Sequence, residues 1–165
     1  MDAYDNDAMT TEAAHQYLTF TLGEEDYGVE ILRVQEIRGY TAITPIPNMP
    51  VFVKGVINLR GTVVPVVDLR LRFGMPTVEY SKATVIIVVN VGKHVIGCVV
   101  DAVSDVLDVA ADSIEKPPAL GEGVDLSFLR GITRNNEDLI ALLNIEQVTG
   151  IQEAAAATTT ATAHP

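Results

Sequence analysis

The residues able to do chemistry in this chain are few and scattered. It holds three histidines and one cysteine. His15 and His164 lie near the chain ends, and His94 follows Gly92-Lys93, a turn dipeptide, where a solvated ring is the ordinary state. Zinc is held by about four such ligands at short spacings. No such cluster is present, so no metal is expected. Cys98 has no partner for an internal disulfide and stands among Val95, Ile96, Val99 and Val100, where a small thiol packs as an apolar residue. Gly121-Glu122-Gly123 lacks the rest of a phosphate-binding loop and carries an acid where phosphate would be repelled. The carboxylate pairs Glu24-Glu25 and Glu137-Asp138 fall in turn-like segments and read as charged hairpin tips. General acid–base work would require burial and a second partner. The expectation is a protein with no catalytic residues, no metal and no cofactor.

Size and charge narrow the class further. At 165 residues the chain suits one ordinary domain or two small ones sharing a core. With 48% apolar and 20% charged residues it can bury enough surface to fold. A formal charge of −11 and scattered basic residues speak against nucleic acid or anionic lipid as a partner, because both are bound by clustered Lys and Arg. The start of the chain, Met1 to His15, has no basic head and no apolar stretch, so it does not read as a secretion signal. The longest apolar run, Ala83 to Val91, is far short of the roughly 20 residues of a membrane helix. A cytoplasmic protein without direct membrane insertion is expected.

These residues must be positioned by strands. Residues 1–15 and the Ala/Thr tract in 151–165 read as disordered tails, leaving 16–150 as the folded part. Within it, β-branched residues recur in short runs broken by Gly, Pro, Asn and Asp, the pattern of an all-β fold with few short helices. Tyr17 to Leu22 with Tyr27 to Ile31, Val56 to Leu59 with Val63 to Leu69, and Ala83 to Val91 with His94 to Val100 read as three hairpins. Single helical turns are expected around Asp112-Ser113-Ile114 and Asp125 to Leu129.

The chain also resembles itself. A shift of 69 lays Tyr27-Gly28-Val29-Glu30-Ile31 on Ile96-Gly97-Cys98-Val99-Val100 and Val34-Gln35-Glu36-Ile37 on Val103-Ser104-Asp105-Val106. A shift of 76 lays Gly55 on Gly131 and Pro65 to Leu69 on Ala141 to Ile145, with the Pro/Gly-rich stretch Lys116 to Gly123 absorbing the difference. Two halves, about 16–80 and 81–150, each of about five strands, are expected to form two small barrels leaning on each other.

Gly55-Val56-Ile57-Asn58-Leu59-Arg60-Gly61 followed by Val64-Pro65-Val66-Val67-Asp68-Leu69-Arg70 resembles the signature of the CheW family of chemotaxis coupling proteins. Tyr27-Gly28-Val29, Val34 to Arg38 and Val99 to Leu107 resemble the same family in order and spacing. The resemblance covers about residues 16 to 150. It implies two intertwined five-stranded SH3-like barrels with exchanged strands around a shared apolar core. It also implies a non-catalytic adaptor, recruited to membrane receptor arrays, that joins methyl-accepting chemotaxis receptors to the histidine kinase CheA. The cytoplasmic tip of the receptor would bind between the barrels at Val34, Glu36, Val85, Val103 and Val106 with Arg60 beside them, and Ile37 matches Val106 across the halves. The regulatory domain of CheA would bind the first barrel at Ile46, Met49 and Phe52, and a ring-closing contact would fall at Leu120. The alternative is a small-barrel module for another peptide or protein partner.

Overall fold

A computed structural model describes residues 16–76, 78–116 and 126–150. Its ten strands are β1 (Gln16–Leu22), β2 (Glu25–Glu30), β3 (Val34–Gly39), β4 (Val53–Leu59), β5 (Thr62–Asp68), β6 (Val85–Val91), β7 (His94–Val100), β8 (Ala102–Asp108), β9 (Leu129–Asn135) and β10 (Asp138–Leu143). Two short helices, α1 (Leu69–Arg72) and α2 (Ile145–Thr149), follow β5 and β10. Single 3-10 turns lie at Ile31–Arg33, Ala111–Ser113 and Leu126–Phe128.

The strands form two five-stranded sheets, ordered β3-β6-β7-β5-β4 and β8-β1-β2-β10-β9. Each sheet takes strands from both halves of the chain. Replacing every strand by its counterpart in the other half, β1 by β6 and so on, turns one order into the other. The internal shifts reappear as register: Gly97 faces Val66 in the parallel β5–β7 pair, as Gly28 faces Leu142 in β2–β10. Both glycines leave room for a neighbour, since a Cβ would lie 2.9 Å from Ile86 at Gly97 and 3.0 Å from Leu142 at Gly28.

Each sheet curls until its ends meet. The chain beyond β3 returns to β4 through a bridge of Thr44 with Val56, and the chain beyond β8 returns to β9 through Glu115 with Ile132. Curling exposes backbone to backbone at these closures, and only glycine fits. A Cβ on Gly55 would lie far inside van der Waals contact distance of the Thr44 carbonyl oxygen, at a φ of 146°, and one on Gly131 would meet Ile114 and the Glu115 carbonyl.

The apolar residues sort into three clusters. Ile57, Leu59, Val64, Val66, Ile86, Val88 and Val99 fill the first barrel, built on the β3 to β4 sheet. Tyr17, Val109, Ile140 and Leu142 fill the second. Between them lies the largest cluster, with Leu18, Phe20, Leu22 and Val29 from one sheet and Ile87, Val89, Ile96 and Cys98 from the other. Cys98 is fully enclosed there, and burial pushes its thiol up to about 12.

Both helices begin on a capping side chain at equivalent positions. The Asp68 carboxylate accepts hydrogen bonds from the Arg70 and Leu71 N–H groups at 2.9 and 3.3 Å and from the Tyr80 hydroxyl at 2.6 Å. Asn144 accepts one from the Gln147 N–H at 3.4 Å, and Gly150 ends α2 in the left-handed region. Arg72 then ties helix to helix. It donates to the carbonyls of Gln147 and Val148 at 2.9 and 3.0 Å and lies between the Phe52 and Phe128 rings, at 4.3 and 4.7 Å. Arg70 joins the halves elsewhere through a two-pronged pair with Asp101, at 2.8 and 2.5 Å, while Asp101 also accepts from the Gly23 N–H at 2.8 Å.

Two stability predictions follow from these contacts. Gly55→Ala should lower unfolding free energy by about 3 kcal/mol or more, by urea titration, against about 1 kcal/mol for Gly61→Ala, which has a positive φ but open space. The hydrogen bonds from Arg70 hold the Asp101 carboxyl below its usual range, so their stabilisation is present above the ordinary Asp pKa of about 3.9 and is lost as pH falls below it. Asp101→Asn should therefore cost about 2 kcal/mol at neutral pH and flatten the acid limb of a plot of urea midpoint against pH.

Candidate functional site

Val34 and Ile37 are three residues apart, an odd spacing that places side chains on opposite faces of a regular strand. In β3 they share a face. Val34 is opposite Val89 and Glu36 is opposite Val88, so Gln35 is an extra residue, a β-bulge. Directly opposed residues share a face. Val34 and Ile37 thus lie with Val89 and Ile87 on the side of the shared core, whereas Glu36 and Arg38 lie with Val88 and Ile86 toward the first barrel's interior.

The second half repeats this. Phe20 is opposite Val103 and Thr19 opposite Asp105, making Ser104 the bulged residue, and Val106 then falls opposite Leu18. Phe20 and Leu18 belong to the shared core, so Val103 and Val106 also face it. The Thr19 hydroxyl stabilises this bulge, donating to the Asp105 carbonyl at 3.0 Å and accepting from the Asp105 N–H at 3.1 Å.

Three of the expected residues border the shared apolar cluster and two stand beside them on the same faces of their strands. Val34, Val85 and Val103 are half-buried and pack on the shared cluster from both sheets. Ile37 and Val106, at 45% and 43% exposure, stand out to solvent on the two end strands β3 and β8. Leu32, in the 3-10 turn before β3, is 59% exposed. The sequence reading passed over it, although it stands between Ile31 and Arg33 ahead of a strand pattern.

Glu36 and Arg60 form a charged pair of their own on the other face of β3. The Arg60 guanidinium donates to both carboxylate oxygens of Glu36, at 2.9 and 3.4 Å. This contact spans the two ends of the first sheet, since β3 and the β4–β5 turn meet only because the sheet has curled. The hydrogen bonds from Arg60 hold the Glu36 carboxyl below its usual range. Arg60 itself has a φ of 51° and Gly61 one of 87°, as a two-residue type I′ hairpin turn demands, and Asn58 accepts from the Gly61 N–H at 2.8 Å. A non-glycine residue at such a φ is mildly strained, and here the turn imposes that strain on an arginine.

The residues expected at a kinase contact divide. Phe52 is buried in the shared core with Arg72 over its ring, so it supports the surface from beneath. Ile46 and Met49 are half-buried, and Val51 beside them is 75% exposed. Val51 is the residue of this loop most available to a partner. Leu120 lies outside the described residues.

Among the described residues no group of histidine, cysteine and carboxylate side chains could hold a metal ion. No helix among them is long and apolar enough to cross a membrane. Two strand-exchanging barrels with an apolar seam between them and charged turns beside it define a binding scaffold.

Comparison with known proteins makes the class specific. The family model for the CheW-like domain matches residues 16–153. The chemotaxis protein CheW of Klebsiella aerogenes is 44% identical over 149 residues, 90% of each chain. That of Rhizobium meliloti is 40% identical over 147 residues, 89% of this chain and 95% of its own. The crystal structure of the scaffolding protein TtCheW from Thermoanaerobacter tengcongensis superposes with a TM-score of 0.76 at 36% identity, covering 82% of this chain and 87% of that one. The chain belongs to the CheW family, whose members are non-catalytic chemotaxis scaffolds.

Arg60→Gly separates the two roles open to this turn. It relieves the left-handed strain and removes only a solvent-exposed ion pair, which contributes little to folding. The urea midpoint should hold or rise. A marked fall would make the Arg60–Glu36 pair a structural closure of the barrel.

Proposed function

We propose that this protein is a cytoplasmic adaptor, recruited to membrane receptor arrays, that couples the tip of methyl-accepting chemotaxis receptors to the histidine kinase CheA. One observation carries the reading: the same bulge in each half turns a matched apolar pair, Val34 with Ile37 and Val103 with Val106, to the face that borders the shared cluster. A helical hairpin laid along it would meet both barrels at once, in the manner of a helix seated in a groove. Val34, Val85 and Val103 would form the floor, and Ile37 and Val106 the walls. Glu36 and Arg60, already paired, would set orientation by exchanging part of their mutual bonding for bonds to the receptor.

The regulatory domain of CheA would dock on the first barrel at the loop carrying Ile46 and Met49, with Val51 as the exposed anchor and Phe52 as its buried support. Leu120 would supply the ring-closing contact. The protein performs no reaction. Its effect on the kinase would come from holding the two partners in one geometry, so that a receptor conformation with better contacts at the seam biases the kinase between its states.

The test is a pair of seam substitutions, Ile37→Asp and Val106→Asp, both on exposed side chains. Each should weaken binding of a receptor-tip fragment tenfold or more, about 1.4 kcal/mol, while changing CheA binding less than twofold. Equal loss of both partners, with the circular dichroism spectrum and urea midpoint intact, would overturn the site assignment.

A further inference from the structure

A second opening onto the shared core lies at the other edge of the second sheet, where β2, β10 and β9 run. It is a groove of about 1170 Å³. Its floor is an aromatic ladder, Tyr27 against Phe73 at 5.3 Å and Phe73 against Phe128 at 5.6 Å, extended by Met75. Leu139, 56% exposed, forms one wall.

The rim is acidic on two sides. Glu24, Glu25 and Asp26 come from the β1–β2 turn, and Glu137 and Asp138 from the β9–β10 turn. The parallel pairing of β2 with β10, Asp26 opposite Ile140, sets these two turns side by side. Like charges so placed repel one another, a cost that a cationic partner would remove. Among the described residues Arg72 is the one basic side chain lining the groove. Its guanidinium is held between two rings and two helix-end carbonyls, so it does not neutralise the rim. The carboxylates do not converge as metal ligands among the described residues, so a single ion does not answer the pattern.

A Met- and aromatic-floored groove with acidic edges is complementary to an amphipathic segment whose apolar face is flanked by Lys and Arg. This chain holds no such segment outside the described residues: 1–15, 117–125 and 151–165 contain no Lys or Arg, and the first of these is acidic. We propose that the groove docks a basic amphipathic helix of a partner protein, at a site separate from the receptor seam.

The probe is a synthetic 14-residue helix with Leu at i, i+3, i+4 and i+7 and Lys elsewhere, followed by fluorescence anisotropy and by backbone amide shifts of the full chain. The Leu/Lys helix should bind with shifts concentrated at residues 24–27, 72–75 and 137–141, and its affinity should fall with added salt. The double variant Glu24→Lys/Glu137→Lys should weaken it at least tenfold, and Leu139→Ser at least threefold. A Leu/Glu helix of the same pattern should not bind. Equal binding of a Leu/Lys peptide with scrambled order, or shifts spread over every acidic surface, would reduce the effect to net charge and overturn the proposal. So would groove resonances that move on deletion of residues 151–165 before any peptide is added, since the occupant would then be this chain's own end. Neither result bears on receptor or CheA binding.

Discussion

A sheet of five strands, each six or seven residues long, can bury one face inside its own curl, but here the other face is equally apolar. Ile86 and Val88 point into the first barrel while Ile87, Val89 and Val91 on the same strand point out of it. The same holds for β1, where Tyr17 faces inward and Leu18, Phe20 and Leu22 outward. At about 25 cal/mol per Å² of apolar surface, neither barrel could leave that outer face in water. Each covers the other's. The shared cluster is therefore the interaction on which the remaining features depend, and the exchange of strands between halves makes it inseparable.

The exposed apolar patches follow from where that cluster runs out. At β3 and β8, the end strands, bulges at Gln35 and Ser104 turn Ile37 and Val106 toward the seam with no strand beyond them to cover them. At the opposite edge the aromatic ladder of Tyr27, Phe73 and Phe128 is left open between two acidic turns. A scaffold that must bind without catalysing can use its own core in this way, because apolar contacts already aligned by packing lose little entropy on binding.

The turns and helices keep the two closures in register. Gly55 and Gly131 permit backbone contact where each sheet meets itself, while Arg70 ties α1 to Asp101 between β7 and β8 and Arg72 ties α1 to α2. Arg72 meets Val148, its own counterpart at the 76-residue shift, which places the pseudo-twofold axis between the helices. This is the point at which the halves stop being alike. Arg72 in one half finds two carbonyls and the Phe128 ring in the other, with Phe52 of its own half behind it.

Much of this was legible in the residues. The strand pattern, the repeated Tyr27-Gly28-Val29 and Ile96-Gly97-Cys98 blocks and the Asn-Leu-Arg-Gly turn carried the fold class, the two-part organisation and the family, because alternation and turn chemistry are local properties. The short helices were passed over although Asp68 and Asn144 stand at their starts as caps, since each follows a strand without a break. What no local rule supplied was the facing of Val34 with Ile37 and of Val103 with Val106. A bulge is made by the partner strand's register, and that register is set by β1 and β6, distant in sequence. Likewise Phe52 became core, Glu36 became the partner of Arg60, and two separate acidic turns became one rim, because the exchange of strands decides which segments touch.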